Sequence, residues 1–186
     1  MKLSTWGTIV LTPVILLASG FLVCNLIPSD IDDKAKELEA YCCRNGYNTD
    51  YAILVDFSRH SMQRRLYVYD FNKDKVIMRS LCAHGLGGES NIFRGDFSNR
   101  PGSNCSSLGH YRVGRNRKMY NHPKIPAFEL HGLNGSNSNS LSRGILIHPH
   151  VGPLTRGCFG MPVINYHRLS VRLRAMPHNV ILWAYE

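Results

Sequence analysis

Residues 148 to 162, HPHVGPLTRGCFGMP, combine side-chain types that can do nucleophilic chemistry. Cys158 follows His148 by ten positions, is fenced by Gly157 and Gly160, and has a second imidazole, His150, nearby. The thiolate is the attacking form of cysteine, and a free thiol titrates near pKa ~8.5, so a base that removes its proton raises its reactivity. Gly157 lets backbone amides turn toward negative charge developing on a tetrahedral intermediate. Arg156 adds a permanent charge that can stabilise a thiolate or an oxyanion but cannot serve as a base. A metal site is the rival chemistry. His148 and His150, two apart on a strand, share a face, and Cys158 would be a third ligand. The fourth would come from His84, His110 or His131, each in a different loop. No paired-cysteine knuckle and no H-E-x-x-H accompanies them, so the nucleophile outranks the metal and no cofactor is expected. A structural cysteine in an ordinary turn is the third reading.

The flanking elements must bring His148 and Cys158 together. Gly144 to His148 reads as a strand ending at the first imidazole, with Gly157-Cys158 on the turn that follows. Upstream, YAILVDFS (51–58), RRLYVYDF (64–71) and VIMRSLCAHG (76–85) are rich in β-branched and aromatic residues and read as an antiparallel meander. Residues 84–114 are rich in glycine, serine and asparagine, and Phe93, Phe97 and Tyr111 argue that this long loop is packed. A polar loop follows within 128–150. NYHRLSVRLRAM (165–176) reads as a helix and NVILWAYE (179–186) as a closing strand. Before the meander, SDIDDKAKELEAYCCRNG reads as a helix capped by Ser29 or Asp30. Ile31, Ala35, Leu38 and Cys42 recur at helical spacing and Gly46 is the stop. This helix is expected at the domain edge. The fold class is mainly β with a few peripheral helices: an apolar leader at 1–28, a helical lead-in at 29–50 and one catalytic domain at 51–186.

The 186 residues carry 22 Lys+Arg against 13 Asp+Glu, a net charge of +9 that favours anionic surroundings. Those basic residues are scattered, Arg64-Arg65 being the only adjacent arginine pair, and no nucleic-acid signature appears, so nucleic acid is not an expected partner. No charged residue occurs from Leu3 to Ser29, and the run predicts export to the periplasm or cell envelope. Ala18 and Gly20 fit a signal-peptide cleavage site, while a run reaching Ile27 fits a transmembrane anchor in the inner membrane; both remain open. In an oxidising compartment Cys42, Cys43, Cys82 and Cys105 permit up to two disulfides.

ILIHPHVGPLTRGCFGMP resembles the signature of L,D-transpeptidase catalytic domains of the YkuD type, in which a strand ends in the base histidine and a [Ser/Thr]-x-Gly-Cys turn carries the nucleophile. Thr155, Gly157, Cys158 and Met161 match. LVDFSRHSMQRRLYVYDFNKDKVIMRSLCAHG, FSNRPGSNCSSLGHYRVG and ELHGLNGSNSNSLSRGILIH extend the resemblance over roughly 51 to 186, toward the murein L,D-transpeptidase subgroup. The resemblance implies a β-sandwich or barrel acting on peptidoglycan stem tetrapeptides through a Cys158 thioester. His148 would be the base, oriented by a backbone carbonyl such as that of Pro149, and His150 an alternative base. His84, Gly85, Ser107, Arg143 and Thr155 would line the substrate cleft, Arg143 holding a stem carboxylate. Two departures stand out. The interval of ten between base and nucleophile is shorter than the family's, and Arg156 replaces the histidine often found before Gly-Cys. The alternatives carried forward are a degenerate murein-binding module and a zinc-dependent hydrolase.

Overall fold

The computed structural model describes residues 30–119, 122–176 and 179–186. The leader at 1–28, with Cys24, lies outside the described residues. Among them, no helix is long and apolar enough to cross a membrane.

Alternation along the apolar runs builds two cores from one sheet. Strands β1 (Tyr51–Asp56) and β10 (Ile181–Tyr185) run parallel, with Ile53 beside Leu182 and Val55 beside Ala184. Side chains alternate across a strand, so these four, with Leu66 and Val68 of β2 (Leu66–Asp70), enter one core. Ala52, Leu54, Tyr67, Tyr69, Ile181, Trp183 and Tyr185 enter the other. That second face is covered by α1 (Ile31–Asn45), whose Ile31, Ala35, Leu38 and Cys42 are the buried positions. The helix expected at the domain edge therefore lies across the sheet's face, because its apolar stripe needs a partner as wide as itself. Gly46 ends it in the left-handed conformation, at φ 68°.

The eight-stranded sheet has the order β3-β2-β1-β10-β5-β6-β7-β9, with β3 at Lys75–Ser80, β5 at Gly109–Met119, β6 at His122–Gly132, β7 at Leu146–Pro149 and β9 at Phe159–Met161. A separate two-stranded ribbon pairs β4 (His84–Gly85) with β8 (Leu154–Thr155). Strand outweighs helix, 37% to 19%, as a mainly β reading requires. Just beyond β3, Ala83 bridges Gly160 of β9 (N–H···O 2.7 and 3.3 Å), which draws the two ends of the sheet together. The second helix, α2 (Val163–Ala175), leaves β9 directly and buries Tyr166, Leu169 and Ser170.

Two differences from the sequence reading matter. The β1–β2–β3 meander forms, but β5 begins inside the stretch read as loop to residue 114, and the β5–β6 hairpin has no counterpart there. The distal half of β5, RNRK (115–118), is exposed and highly charged, so no apolar alternation marks it as strand. The cysteines also behave differently from a disulfide framework: Cys42, Cys43, Cys82, Cys105 and Cys158 are all free thiols.

Candidate active site

Two parallel strands position the candidate base and nucleophile. Ile145, Leu146, Ile147 and His148 are all buried, and the strand reaches the surface only at Pro149. In the register of β7 and β9, Ile147 pairs with Phe159 and His148 with Gly160, so Cys158 sits immediately before β9, two residues below the partner of His148. Parallel neighbours usually need a crossover of about a dozen residues or more. Here the short interval is spanned because β8 detours to pair with β4, and the His150 amide returns to the Met161 carbonyl at 2.6 Å. The shortened loop thus leaves His148 and Cys158 on adjacent strands.

Both imidazoles are oriented by main-chain carbonyls. His148 Nδ1 lies 2.9 Å from the Pro149 oxygen and His150 Nε2 lies 2.8 Å from the Leu154 oxygen. A carbonyl only accepts, so these nitrogens carry the protons, and the accepting lone pairs are on His148 Nε2 and His150 Nδ1. The rings meet edge to face, 5.7 Å between centroids.

The turn that presents Cys158 is tied from three sides. Thr155 Oγ1 donates to the Cys158 carbonyl at 2.6 Å and accepts the Gly157 amide at 3.2 Å. Gly157 has φ +110°, and a Cβ there would stand 2.9 Å from the Cys105 carbonyl oxygen, so only glycine fits. The Gly157 carbonyl accepts from Ser106 Oγ at 2.9 Å, and that same hydroxyl accepts the Gly85 amide at 2.9 Å.

Cys158 is half-buried and its thiol donates to the Gly144 carbonyl at 3.6 Å. It opens into a cleft of about 720 Å³ that is also lined by His148, His150, Thr155, Arg143, Arg156, Arg117, Leu86, Leu146 and Leu154. No described lining residue is a carboxylate, and three are arginines; such a cleft favours an anionic ligand. Burial pushes the thiol pKa up, with the Leu146 amide and the Arg143 charge pulling partly the other way. The resting sulfur is therefore a neutral thiol that needs a base.

The other sequence-predicted residues fall into two groups. Thr155, Arg143 and Arg156 line the cleft, but Arg143 is occupied. Its Nη1 donates to the Ser98 carbonyl and Ser107 Oγ (2.7 and 2.8 Å), its Nη2 to Ser103 Oγ and the Cys105 carbonyl (3.2 and 2.6 Å). All four terminal N–H bonds brace the 98–107 loop, so a carboxylate-holding role would require releasing that loop. Arg156 is exposed, and no partner is seen for it among the described residues. His84, Gly85 and Ser107 do not line the cleft; they are buried behind it. His84 Nδ1 accepts from Arg65 Nη2 at 2.7 Å, and burial with that guanidinium lowers its pKa to about 4.

The proposed metal ligands do not converge either. Among the described residues no group of three or more His, Cys, Asp or Glu could hold a metal ion. His110 is stacked between Tyr41 and Trp183, and His131 bonds Glu129 and Arg112, both at 3.0 Å. Sequence reasoning missed Ser106, whose hydroxyl joins the Gly157 turn to β4, and Arg117, which reaches the cleft from β5 while pairing with Glu129 at 3.2 Å. Nothing local distinguishes Ser106 from the serines around it.

The profile of the L,D-transpeptidase catalytic domain family matches residues 29–151, about two thirds of the chain, stopping short of Cys158. No curated protein matches. Among solved structures, the chain is similar to the helical cell shape determining protein Pgp2 from Campylobacter jejuni, at 18% identity and TM-score 0.49 over 73% of this chain and 47% of that one. It is similar to Bd1075 of Bdellovibrio bacteriovorus, at 19% identity and TM-score 0.45 over 76% and 49%. It is also similar to an L,D-transpeptidase of Xylanimonas cellulosilytica, at 12% identity and TM-score 0.42 over 78% and 68%. The chain spans about half the length of the first structures it matches.

Proposed function

The chain belongs to the L,D-transpeptidase catalytic domain family, and from that premise we propose that it transfers acyl groups of peptidoglycan stem tetrapeptides through a thioester on Cys158. The reading is carried by one observation: Cys158 and His148 open into the same arginine-lined cleft from adjacent parallel strands.

In this mechanism the thiol turns from the Gly144 carbonyl and gives its proton to Nε2 of His148, whose Nδ1–H stays on the Pro149 carbonyl. The sulfur attacks the carbonyl that follows the third, D-configured centre of the stem. The Gly157 amide is engaged by Thr155, so the oxyanion is met by the Cys158 amide and the exposed Arg156 guanidinium. Collapse breaks the peptide bond, His148 returns the proton to the leaving D-alanine amine, and the acyl group remains on sulfur. An amine acceptor, or water in carboxypeptidase action, then gives its proton to His148 as it attacks the thioester, and the thiol is regenerated. Work on this polymer belongs to the cell envelope, and residues 1–28 are proposed as the export signal or anchor.

The test is mass spectrometry of the protein incubated with disaccharide tetrapeptide, or with a carbapenem as acylating trap. An adduct on Cys158 that is lost in Cys158→Ala is the expected result. Full turnover in Cys158→Ala would overturn the mechanism. Binding to murein sacculi with an unchanged muropeptide profile would instead assign a binding module.

A further inference from the structure

Of the three arginines lining the reaction cleft, two are committed. Arg143 uses its terminal N–H groups on the 98–107 loop, and Arg156, two residues before Cys158, is placed at the oxyanion by the mechanism above. Arg117 is the third, and a bulge sets its direction. Between Val113 and Asn116 the β5–β6 register slips by one residue, so Arg112 stands opposite His131 but Arg117 opposite Ala127. Side chains alternate along a strand. With an unbroken register, residue 117 would turn to the face of Phe128 and Leu130, which are buried in the core. The bulge turns it instead to the face of Ala127, Glu129 and His131. Glu129 pairs with Leu146 of β7, and His148 follows Leu146 by two, so the candidate base belongs to that face as well. Only β6 separates β5 from β7, which puts the strands of Arg117 and His148 roughly 10 Å apart.

Arg117 is held without being saturated. Its side chain is 43% exposed, Nη1 donates to Glu129 Oε1 at 3.2 Å and Nε to the Lys118 carbonyl at 3.4 Å; Nη2 has no partner among the described residues. Glu129 is itself shared. Its other oxygen accepts from His131 Nε2 at 3.0 Å, and His131 Nδ1 accepts from Arg112 Nη2 at 3.0 Å. With one ring nitrogen accepting and the other donating, the imidazole is neutral. One carboxylate thus serves two guanidinium groups, and the network keeps one positive charge. Burial raises the Glu129 carboxyl pKa, but the bonds from His131 and Arg117 outweigh it and hold the group below its usual range. The glutamate is an anion that aims Arg117 without cancelling the network's charge.

We propose that Arg117 holds a carboxylate of the donor stem during acylation, with Glu129 as its positioning residue, a role that rests on the acyl-transfer reading of Cys158. A guanidinium with an unused edge matches the planar geometry of a carboxylate. The separation of the strands corresponds to about three residues of extended peptide, so the carboxylate lies close along the stem to the attacked carbonyl. Arg117 thereby takes the place in recognition that Arg143, braced against its own loop, does not fill.

The test, on the full chain, compares Cys158 acylation by disaccharide tetrapeptide with acylation by the same muropeptide whose free carboxylates have been converted to amides. Arg117→Gln should raise KM for the acid about tenfold and change the maximal acylation rate by less than about twofold. The parent should suffer the same loss when the substrate is amidated, and Arg117→Gln should no longer distinguish acid from amide. Arg117→Lys should keep part of the preference, and Glu129→Gln should lower the acid-to-amide preference, which a merely structural role would leave unchanged. Equal KM in parent and Arg117→Gln would overturn the proposal. So would equal losses on acid and amide, or a loss confined to the maximal rate or to the acceptor step. Absence of any Cys158 adduct in the parent would instead remove the acyl-transfer reading. Calorimetric binding of the tetrapeptide to Cys158→Ala, with and without Arg117→Gln, then decides the carboxylate contact by itself: a weakened Kd supports it and an unchanged Kd overturns it.

Discussion

The Thr155 hydroxyl holds the Cys158 carbonyl at 2.6 Å, and it does so while accepting the amide of Gly157. One oxygen thus fixes both ends of the turn on which the candidate nucleophile rides. Thr155→Val keeps the shape and removes the hydroxyl, leaving the Gly157 amide without this acceptor. Loss of a buried hydrogen bond costs about 1 to 3 kcal/mol. Thermal unfolding should show that loss, and carbapenem acylation of Cys158 should slow even where the protein remains folded.

Gly157→Ala should be worse. At φ +110° an L side chain is strained by roughly 1 to 3 kcal/mol, and the new methyl meets the Cys105 carbonyl and Ile145 Cδ1 at 2.9 and 3.0 Å. Differential scanning calorimetry should register the destabilisation. A Gly157→Ala protein as stable as the parent would show that the turn is softer than described.

The two imidazoles should separate cleanly. His148→Ala removes the proposed proton acceptor, and acylation should fall about 10²- to 10⁴-fold, the usual range for loss of a positioned base. His150→Ala loses the bond to the Leu154 carbonyl, so its effect should be smaller and should appear mainly as loop loosening in hydrogen exchange. The reverse ranking would transfer the base role to His150.

The pH dependence of Cys158 follows from its surroundings. Burial raises the thiol pKa, so the thiolate appears at higher pH than for an ordinary cysteine. In His148→Ala, where no base assists, alkylation by iodoacetamide should still be climbing above pH ~8.5, where a free thiol is already half ionised. A plateau below that pH would mean that the sulfur is stabilised as thiolate.

His84 makes a stability prediction of the opposite pH sense. Its folded pKa of about 4 lies below the ordinary histidine value near 6.5. As pH falls from 6.5 the unfolded chain takes up a proton that the buried, Arg65-facing ring refuses, so stability is full above 6.5 and drains away toward 4. Circular dichroism melts should show a steeper loss of Tm across that window in the parent than in His84→Gln.

What the sequence reveals tracks how locally each feature is encoded. The α1 helix is legible because Ile31, Ala35, Leu38 and Cys42 repeat at helical spacing, and β1 because the run AILV before Asp56 is apolar and rich in β-formers. The motif around Cys158 is legible because a glycine must precede the thiol, and Thr155 sits at the spacing of a side-chain turn. The β5–β6 hairpin is not legible, since Arg115 to Lys118 hold their strand by backbone pairing and show nothing apolar. The family resemblance alone places Ser107 and Gly85 in the cleft; their burial is decided by packing, Ser107 against the Ser98 carbonyl and Gly85 against the Ser106 hydroxyl.

Gly160 stands opposite His148, exchanges hydrogen bonds with Ala83 and carries no side chain because the His150 ring occupies that space, with a Cβ position 2.7 Å from His150 Cβ. Wall closure and imidazole placement are thereby fused in one atom-poor position. Evolution or engineering cannot retune one without disturbing the other, and any enlargement at 160 should loosen the Ala83 bridge and misalign the imidazoles in the same stroke.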